Sequence, residues 1–369
     1  MKTKFNNKLL KKKLSSSIFL TILFFVITIV LLKFAERNSA IVEYYYSEHI
    51  YSYLTIGLTF FSGSIPFSLS DIFYFVIIVV GLILFLRSFF RRKYFKTFLK
   101  YVFYTFFWFA IIFTWFFGFN RFRVPLSDRL KVADKQIDSM QFKYVANWLV
   151  KDVNNLNSLY VEYSDNDFQK HVINSYILNS AYLRVKKHIR LSKVKPITLS
   201  KLFAGAGIAG YYGPFFSEVH LNSKLTKLEY PFDLAHEMAH KFGIVLESEA
   251  NFYAWYVCYF SKDNSLKYIA QLNLLRYFLS QSNYFYSLIK DLGIKDEVLT
   301  DLHRIQLNWK KYRNEKHIQI SRSLNNSYLK AVKIEDGIRN YNGVVKYVMN
   351  YAISHRLIDH QSGTNNNTK

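Results

Sequence analysis

Three long apolar runs constrain what this chain can fold into more than any other feature. Residues 15–32, SSSIFLTILFFVITIVLL, and residues 101–119, YVFYTFFWFAIIFTWFFGF, contain no charged residue, and IFYFVIIVVGLILFL at 72–86 is equally apolar. A hydrocarbon core about 30 Å thick is crossed by roughly 20 such residues in a helix. The chain is therefore predicted to be a membrane protein that contacts the lipid bilayer through an anchor at residues 1–120. The three predicted transmembrane helices span about 15–34, 66–88 and 101–119.

Basic residues are distributed unevenly around these runs. Six lysines precede the first run, and six Lys and Arg residues lie in RSFFRRKYFKTFLK at 87–100, whereas the 35–70 connection contains three glutamates and one arginine. Because short loops rich in Lys and Arg stay in the cytoplasm, we expect a cytoplasmic N-terminus. Three spans then place residues 121–358 outside the cytoplasm, as one extracytoplasmic domain.

The overall charge limits the classes of partner. The 369 residues include 49 Lys and Arg against 26 Asp and Glu, a net charge of +23, which suits an anionic membrane surface or nucleic acid. The sequence contains no zinc-finger, RNP-like or Arg-rich recognition pattern, so we expect no nucleic-acid partner. Cys258 is the only cysteine, which excludes an intrachain disulfide framework.

The residues that can do chemistry are concentrated in PFDLAHEMAHKFGIVLESEANFYAW at 231–255. Pro231 suits the first turn of a helix, and on such a helix His236 and His240 project from one face about a turn apart. Glu237 is then placed to contact a metal-bound water instead of the metal. The pattern predicts one zinc ion held by both histidines, with Glu237 as the general base. The alternative is a pair of core histidines with satisfied hydrogen bonds.

A catalytic zinc site needs a third protein ligand. Glu247 and Glu249 follow in ESEAN, and the spacing alone leaves both open as that ligand. Two carboxylates at this place also suit the N-terminus of the next helix, whose dipole favours negative charge. Gly243 is predicted to end the first helix, so either carboxylate can reach the metal only if the two helices are joined by a very tight turn.

At this point the segment resembles the gluzincin type of zinc metallopeptidase, in which a glutamate in an E-x-x-A-N arrangement completes HExxH. The resemblance implies Glu247 as third ligand, Glu249 as the fallback, and Asn251 as a partner of a ligand histidine. The whole chain is similar to an uncharacterised bacterial family of predicted multi-span membrane zinc metallopeptidases, through stretches such as IPFSLSD at 65–71 and GYYGPFFSEVHLN at 210–222. The fold implied is mainly α, with a mostly helical gluzincin-like domain and a small β element, in the bacterial inner membrane.

A glycine-rich segment precedes the motif. GAGIAG at 205–210 matches G-x-G-x-x-G, but Pro214 soon afterwards argues against the helix that a dinucleotide site needs, so a turn is predicted. PITL at 196–199 and FSEVHL at 216–221 flank the segment and have the pattern of short strands.

The second of these strands is expected to border the active-site cleft. An exposed strand edge can pair with an extended peptide, and FSEVHLN at 216–222 is the predicted edge. Glu218 is then expected to contact a substrate amine or a ligand histidine, with an exposed surface carboxylate as the alternative. Tyr212 is a candidate donor to the oxyanion.

Together these features predict a membrane-anchored enzyme, a zinc-dependent peptidase that hydrolyses peptide bonds by a Glu-activated zinc-bound water. One Zn²⁺ per chain and a peptide or envelope-protein substrate are expected. The alternative is a non-enzymatic envelope sensor or scaffold that retains a metallopeptidase fold. The polar tail at 359–369 is predicted to be disordered.

Overall fold

The computed structural model describes residues 2–136, 138–186, 194–280, 291–331 and 343–358. The tail predicted to be disordered, 359–369, lies outside these residues. The described chain is mainly helical with one small sheet, as the sequence predicts, and it divides into two compact units. Unit 1 is Met1–Val124 with Pro214–Phe216, and unit 2 is Pro125–Gly213 with Ser217–Lys369.

Unit 1 contains three helices that are long and apolar enough to cross a membrane, at Ser16–Arg37, Leu69–Phe90 and Arg92–Phe116. Few of their residues are buried within the protein. This finding confirms the three predicted apolar helices. The helices of unit 1 are α1 (Lys2–Arg37), α2 (Ser39–Ile41), a π-helix (Val42–Tyr51), α3 (Ser52–Gly63), α4 (Leu69–Phe90) and α5 (Phe95–Phe116).

Most of the basic segment between the second and third spans is helical, so the loop between these spans is shorter than predicted. The 87–100 stretch was expected to connect two spans, but α4 continues to Phe90 and α5 begins at Phe95, with a 3₁₀ turn at Arg92–Tyr94 between them. Long Lys and Arg side chains can reach from a helix end into the headgroup region, so the helices continue into the basic segment. The third span also ends earlier than predicted, at Phe116.

Unit 2 is built around one fully buried helix. Its helices are α6 (Leu126–Leu130), α7 (Ser139–Asn157), α8 (Asp165–Asn179), α9 (Ser200–Gly205), α10 (Tyr230–Lys241), α11 (Glu247–Tyr259), α12 (Asn264–Leu279), α13 (Asp296–Tyr312), α14 (Glu315–Ala331) and α15 (Gly343–Ser354). Every residue of α11 from Ser248 to Cys258 is buried, and α11 packs against α8, α10, α12 and α15. A helix that is apolar all round is stable only when neighbours cover every face. The α10–α11 pair is therefore held rigidly.

The described residues form one three-stranded sheet, with strands β1 (Lys195–Pro196), β2 (Gly210–Gly213) and β3 (Glu218–Leu221) in the order β1-β3-β2. β3 is parallel to β1 and antiparallel to β2. The expectation that FSEVHLN would be an exposed edge is therefore wrong, because β3 has a strand on each side. Within the described chain the edge strands are β1 and β2, and the GYYG sequence of β2 is a weak strand signal since glycine disfavours strands.

Candidate metal centre

A tight helix–turn–helix presents the motif. Pro231 lies in the first turn of α10, where its missing N–H costs no hydrogen bond. After α10 ends, Gly243 adopts a positive φ of 80°, and the N–H of Ile244 donates to the carbonyl of Ala239 at 3.1 Å. This reversal needs a left-handed residue, which glycine adopts without steric cost. α11 begins only four residues later, at Glu247.

The reversal brings three ligand atoms together. Nε2 of His236 lies 3.1 Å from Nε2 of His240 and 3.1 Å from Oε2 of Glu247, and the His240–Glu247 distance is 3.7 Å. In a tetrahedral zinc site with metal–ligand bonds near 2.1 Å, two ligand atoms are separated by about 3.4 Å. The three atoms thus lie close to the separations that one zinc ion requires. His236, His240 and Glu247 together could hold a metal ion.

The hydrogen bond of His240 fixes its tautomer. Nδ1 of His240 lies 2.6 Å from the carbonyl oxygen of Ile244, and because a carbonyl only accepts, Nδ1 carries the proton. In the neutral ring Nε2 then has a free lone pair that faces the cluster, as in metal-binding histidines held by a backbone carbonyl. Nδ1 of His236 is buried without a hydrogen-bond partner among the described residues.

Opposite charges dominate the electrostatics of the cluster. Burial alone would raise the pKa of Glu247, but the adjacent imidazoles of His240 and His236 hold it well below its usual range. Burial alone would lower the pKa of His236, but the hydrogen bond and charge of Glu247 and the other carboxylates nearby raise it to about 9. The cluster therefore concentrates negative charge where a divalent cation would bind.

Glu237 lies beside the cluster without being part of it. Its side chain is buried, and Oε2 has no hydrogen-bond partner among the described residues. Burial raises the pKa of Glu237, and the charges of His236 and His240 partly offset that increase. A carboxylate whose pKa is raised towards neutrality is suited to take up and release a proton.

Gly210, the first residue of the edge strand β2, packs directly on Glu237. A Cβ atom at position 210 would lie 2.9 Å from Cγ and Oε1 of Glu237 and 2.8 Å from the carbonyl oxygen of His220. Only glycine permits this approach of backbone to carboxylate. The G-x-G-x-x-G match therefore ends at Gly210, the residue that lets strand β2 run directly past Glu237, a role that the spacing of glycines did not indicate.

The structure distinguishes the two candidate third ligands. Glu249 accepts hydrogen bonds from Nη2 of Arg129 at 2.7 Å and from the backbone N–H of Leu126 at 3.1 Å, so both of its oxygens are engaged on α6. Glu247 is the carboxylate at the histidines. Asn251 is buried one turn further along α11, and its predicted support of a ligand histidine stays a prediction.

Glu218 lies in a buried charged cluster instead of facing solvent. It is fully buried on β3, where it pairs with Lys195 and lies 3.5 Å from Nε2 of His220. Lys241, the residue after the second histidine, donates from Nζ to the carbonyl of Ser217 at 3.1 Å, and burial lowers its pKa to about 7. The expectation of an exposed surface carboxylate is wrong, because Glu218 is fully buried and paired with Lys195. Its predicted contact with a substrate amine or a ligand histidine stays a prediction.

The hydroxyl of Tyr212 lies 3.3 Å from Oγ of Ser217 at the turn of the β2–β3 hairpin. Its predicted part as oxyanion donor stays a prediction. Asp233 is a further residue that the sequence did not single out for the site. It lies one turn before His236 on α10, and burial, reinforced by the charge of Glu229, raises its pKa to about 7.

Comparison with known proteins gives one match. A family model described as "Protein of unknown function (DUF3810)" matches residues 46–349, well over half of the chain. The chain belongs to this family. No curated protein and no solved structure matches this DUF3810 member. The predicted resemblance to an uncharacterised family is confirmed, and its metallopeptidase part stays a prediction.

Proposed function

We propose that this DUF3810 member is a membrane-anchored, zinc-dependent peptidase with a gluzincin-like site. One observation carries the proposal. His236, His240 and Glu247, from two consecutive helices, place three ligand atoms at tetrahedral separations, and an unpartnered buried carboxylate lies next to them. Core histidines with satisfied hydrogen bonds do not explain the orphaned Nδ1 of His236 or Oε2 of Glu237.

The ligand set fits zinc. Two imidazoles and one carboxylate are the donors of catalytic zinc sites that keep a fourth position open. When bound, zinc lowers the pKa of a coordinated water and polarises the carbonyl of the substrate. Glu247 would supply the negative ligand, and Ile244 would hold the ring of His240 in the correct tautomer through its carbonyl.

Glu237 performs the proton transfers in this proposal. It takes a proton from the attacking water and delivers it to the leaving amine, and burial, which raises the pKa of Glu237, makes it a stronger base than an exposed carboxylate. β2 is an edge strand of the described sheet and begins at Gly210, which touches Glu237. Strand edges are where an extended peptide pairs with a sheet. The substrate class that fits is therefore a peptide or an unfolded segment of an envelope protein.

We place the catalytic unit outside the cytoplasm of a bacterial cell. The support is the charge pattern, with basic residues before α1 and between α4 and α5, and three apolar helices that return the chain to the outer side. A reporter enzyme that works only in the periplasm, fused after residue 122, should be active. Activity of a cytosol-specific reporter at the same junction would reverse the topology.

The test of function combines metal analysis with one substitution. Detergent-purified protein should contain about one zinc per chain, and Glu237→Gln should keep that zinc while losing hydrolysis of a quenched fluorescent peptide library. Glu249→Gln is the matched control, a buried carboxylate two residues beyond Glu247 that should keep both zinc and turnover. Zinc without Glu237-dependent turnover would favour the sensor or scaffold alternative, and absence of zinc would refute the site.

A further inference from the structure

The segment between the first two spans, the π-helix and α3, buries small polar residues and exposes large apolar ones. Five small hydroxyl-bearing residues of the π-helix and α3 are buried, whereas six large side chains, most of them aromatic, are exposed; Val42, Tyr46 and Tyr51 are buried as well. The five buried hydroxyl-bearing residues are Ser47, Ser52, Thr55, Thr59 and Ser62. A helix on a water-soluble surface has the opposite arrangement, with its apolar side chains inside.

We call the outward side the aromatic face; it consists of Tyr44, Tyr45, Ile50, Tyr53, Phe60 and Phe61. These side chains are largely exposed, with exposed fractions of 65% for Tyr53, 70% for Phe60 and 61% for Phe61. From Ile50 to Ser70 the sequence contains no charged residue. Large exposed apolar side chains along one uncharged stretch indicate a binding surface for another apolar phase.

The aromatic face is held in place by contacts on the inner side of the same segment. Nε and Nη2 of Arg123 donate to the carboxylate of Glu43 at 2.9 and 2.6 Å, and both side chains are buried. The hydroxyl of Tyr46 donates to the carbonyl of Trp115 at 2.8 Å. A bidentate ion pair of this geometry fixes orientation as well as position. The segment therefore presents the aromatic face permanently.

Continuity with the spans identifies what covers the face. α4 begins at Leu69, where Ser68 caps the helix by accepting from the N–H of Asp71 at 2.8 Å. A carboxylate and a polar cap at the start of a span belong at the membrane surface. The segment that leads directly into this cap is at the same level, and its tyrosines are the side chains that favour that level.

We propose that the π-helix and α3 lie flat in the membrane interface, with the aromatic face among the upper acyl chains of the lipids. This is a fourth contact with the bilayer besides the three spans, and it is independent of the proposed zinc chemistry. An interfacial helix buries its apolar side only a short distance into the bilayer, so the aromatic face should be shallower than the middle of a span.

Spin labels on single cysteines test the proposal in the full chain. Cys258, the only cysteine, is fully buried, so Cys258→Ala provides the background. Phe60→Cys and Tyr53→Cys report the aromatic face, Ile78→Cys on α4 is the lipid-exposed control, and Met140→Cys on α7 is the water-exposed control. All four are largely exposed side chains, which keeps the substitutions compatible with folding.

Labelled protein in vesicles of phosphatidylcholine with some phosphatidylglycerol is probed with oxygen and a water-soluble nickel chelate. Labels at 53 and 60 should be accessible to oxygen and protected from the nickel chelate, as the label at 78 is. Their depth in the bilayer should be smaller than that of the label at 78. Nickel access equal to that at 140 would overturn the proposal by placing the face in water. Dipolar broadening between labels would overturn it by showing a second copy on the face, and a depth equal to that at 78 would show a span.

Discussion

Replacing Gly210 by alanine should separate catalysis from metal binding. The added Cβ would meet the carbonyl oxygen of His220 at 2.8 Å and Cγ of Glu237 at 2.9 Å, whereas ordinary contacts begin at 3.4 Å. The backbone of β2 must therefore move by about 0.6 Å relative to β3, and Glu237 must move by about 0.5 Å unless the same shift clears it. The carbonyl oxygen of His220 belongs to the backbone and cannot turn aside as the end of a side chain can.

The size of the effect follows from that displacement. Overpacking of this kind costs about 1–3 kcal/mol of stability, and a misplacement of about 1 Å at a reacting group costs roughly 100-fold in rate. For half that displacement we expect kcat to fall by about tenfold or more, while the zinc content stays unchanged because the ligands are on α10 and α11.

Gly207→Ala is the matched control. Gly207 has a φ of 77°, and a Cβ added there would meet no atom within 4 Å, so alanine at this position is strained without contacting Glu237. Turnover of a peptide library, zinc content and thermal unfolding are measured for both variants. If the 210 variant unfolds earlier but keeps the kcat of the 207 variant, the strand does not position Glu237.

Three further outcomes are expected. Glu247→Ala should lose zinc, whereas Glu249→Ala should keep zinc but lower the free energy of unfolding by about 3–5 kcal/mol, since it removes one partner of a buried ion pair with Arg129; metal analysis and urea titration distinguish them. Glu218→Gln should destabilise the protein by a similar amount, about 3–5 kcal/mol, without changing zinc content, because two buried lysines lose their counter-charge; an unchanged urea midpoint would contradict this. His236, with a pKa near 9 in the metal-free protein, must lose its proton to bind zinc, so apparent zinc affinity should rise about tenfold per pH unit and level off above about pH 9. Calorimetry in buffers of different ionisation enthalpy should show about one proton released per zinc at pH 7, and a pH-independent affinity would refute the His236 assignment.

The parts of the site that depend on helical period were predictable. His236 and His240 differ by four positions, so their common face follows from any helix, and Gly243 is the residue a tight reversal needs. The choice between Glu247 and Glu249 did not follow from the sequence. Residues two positions apart on a helix point to nearly opposite sides. Which of the two sides faces the histidines depends on the packing of α11 in unit 2.

The parts that depend on distant pairing were not predictable. Glu218 reads as a surface or substrate carboxylate because nothing near it in the sequence supplies a partner, yet Lys195 lies 23 residues away on β1 and closes a buried ion pair. The edge strand was assigned to the wrong half of the hairpin for a related reason. FSEVHL has the stronger strand pattern and therefore takes the central position, where both sides are paired.

All three candidate metal ligands lie within residues 236–247, a short continuous piece of the chain on either side of one reversal. An ion there would connect two helices across one short turn and would not cross-link remote parts of the domain. The loop closed by the ion is short, so bringing the ligands together costs little conformational entropy. Capture of the metal can accordingly precede completion of the surrounding helices, and the ion would then serve as a template around which the later segments settle.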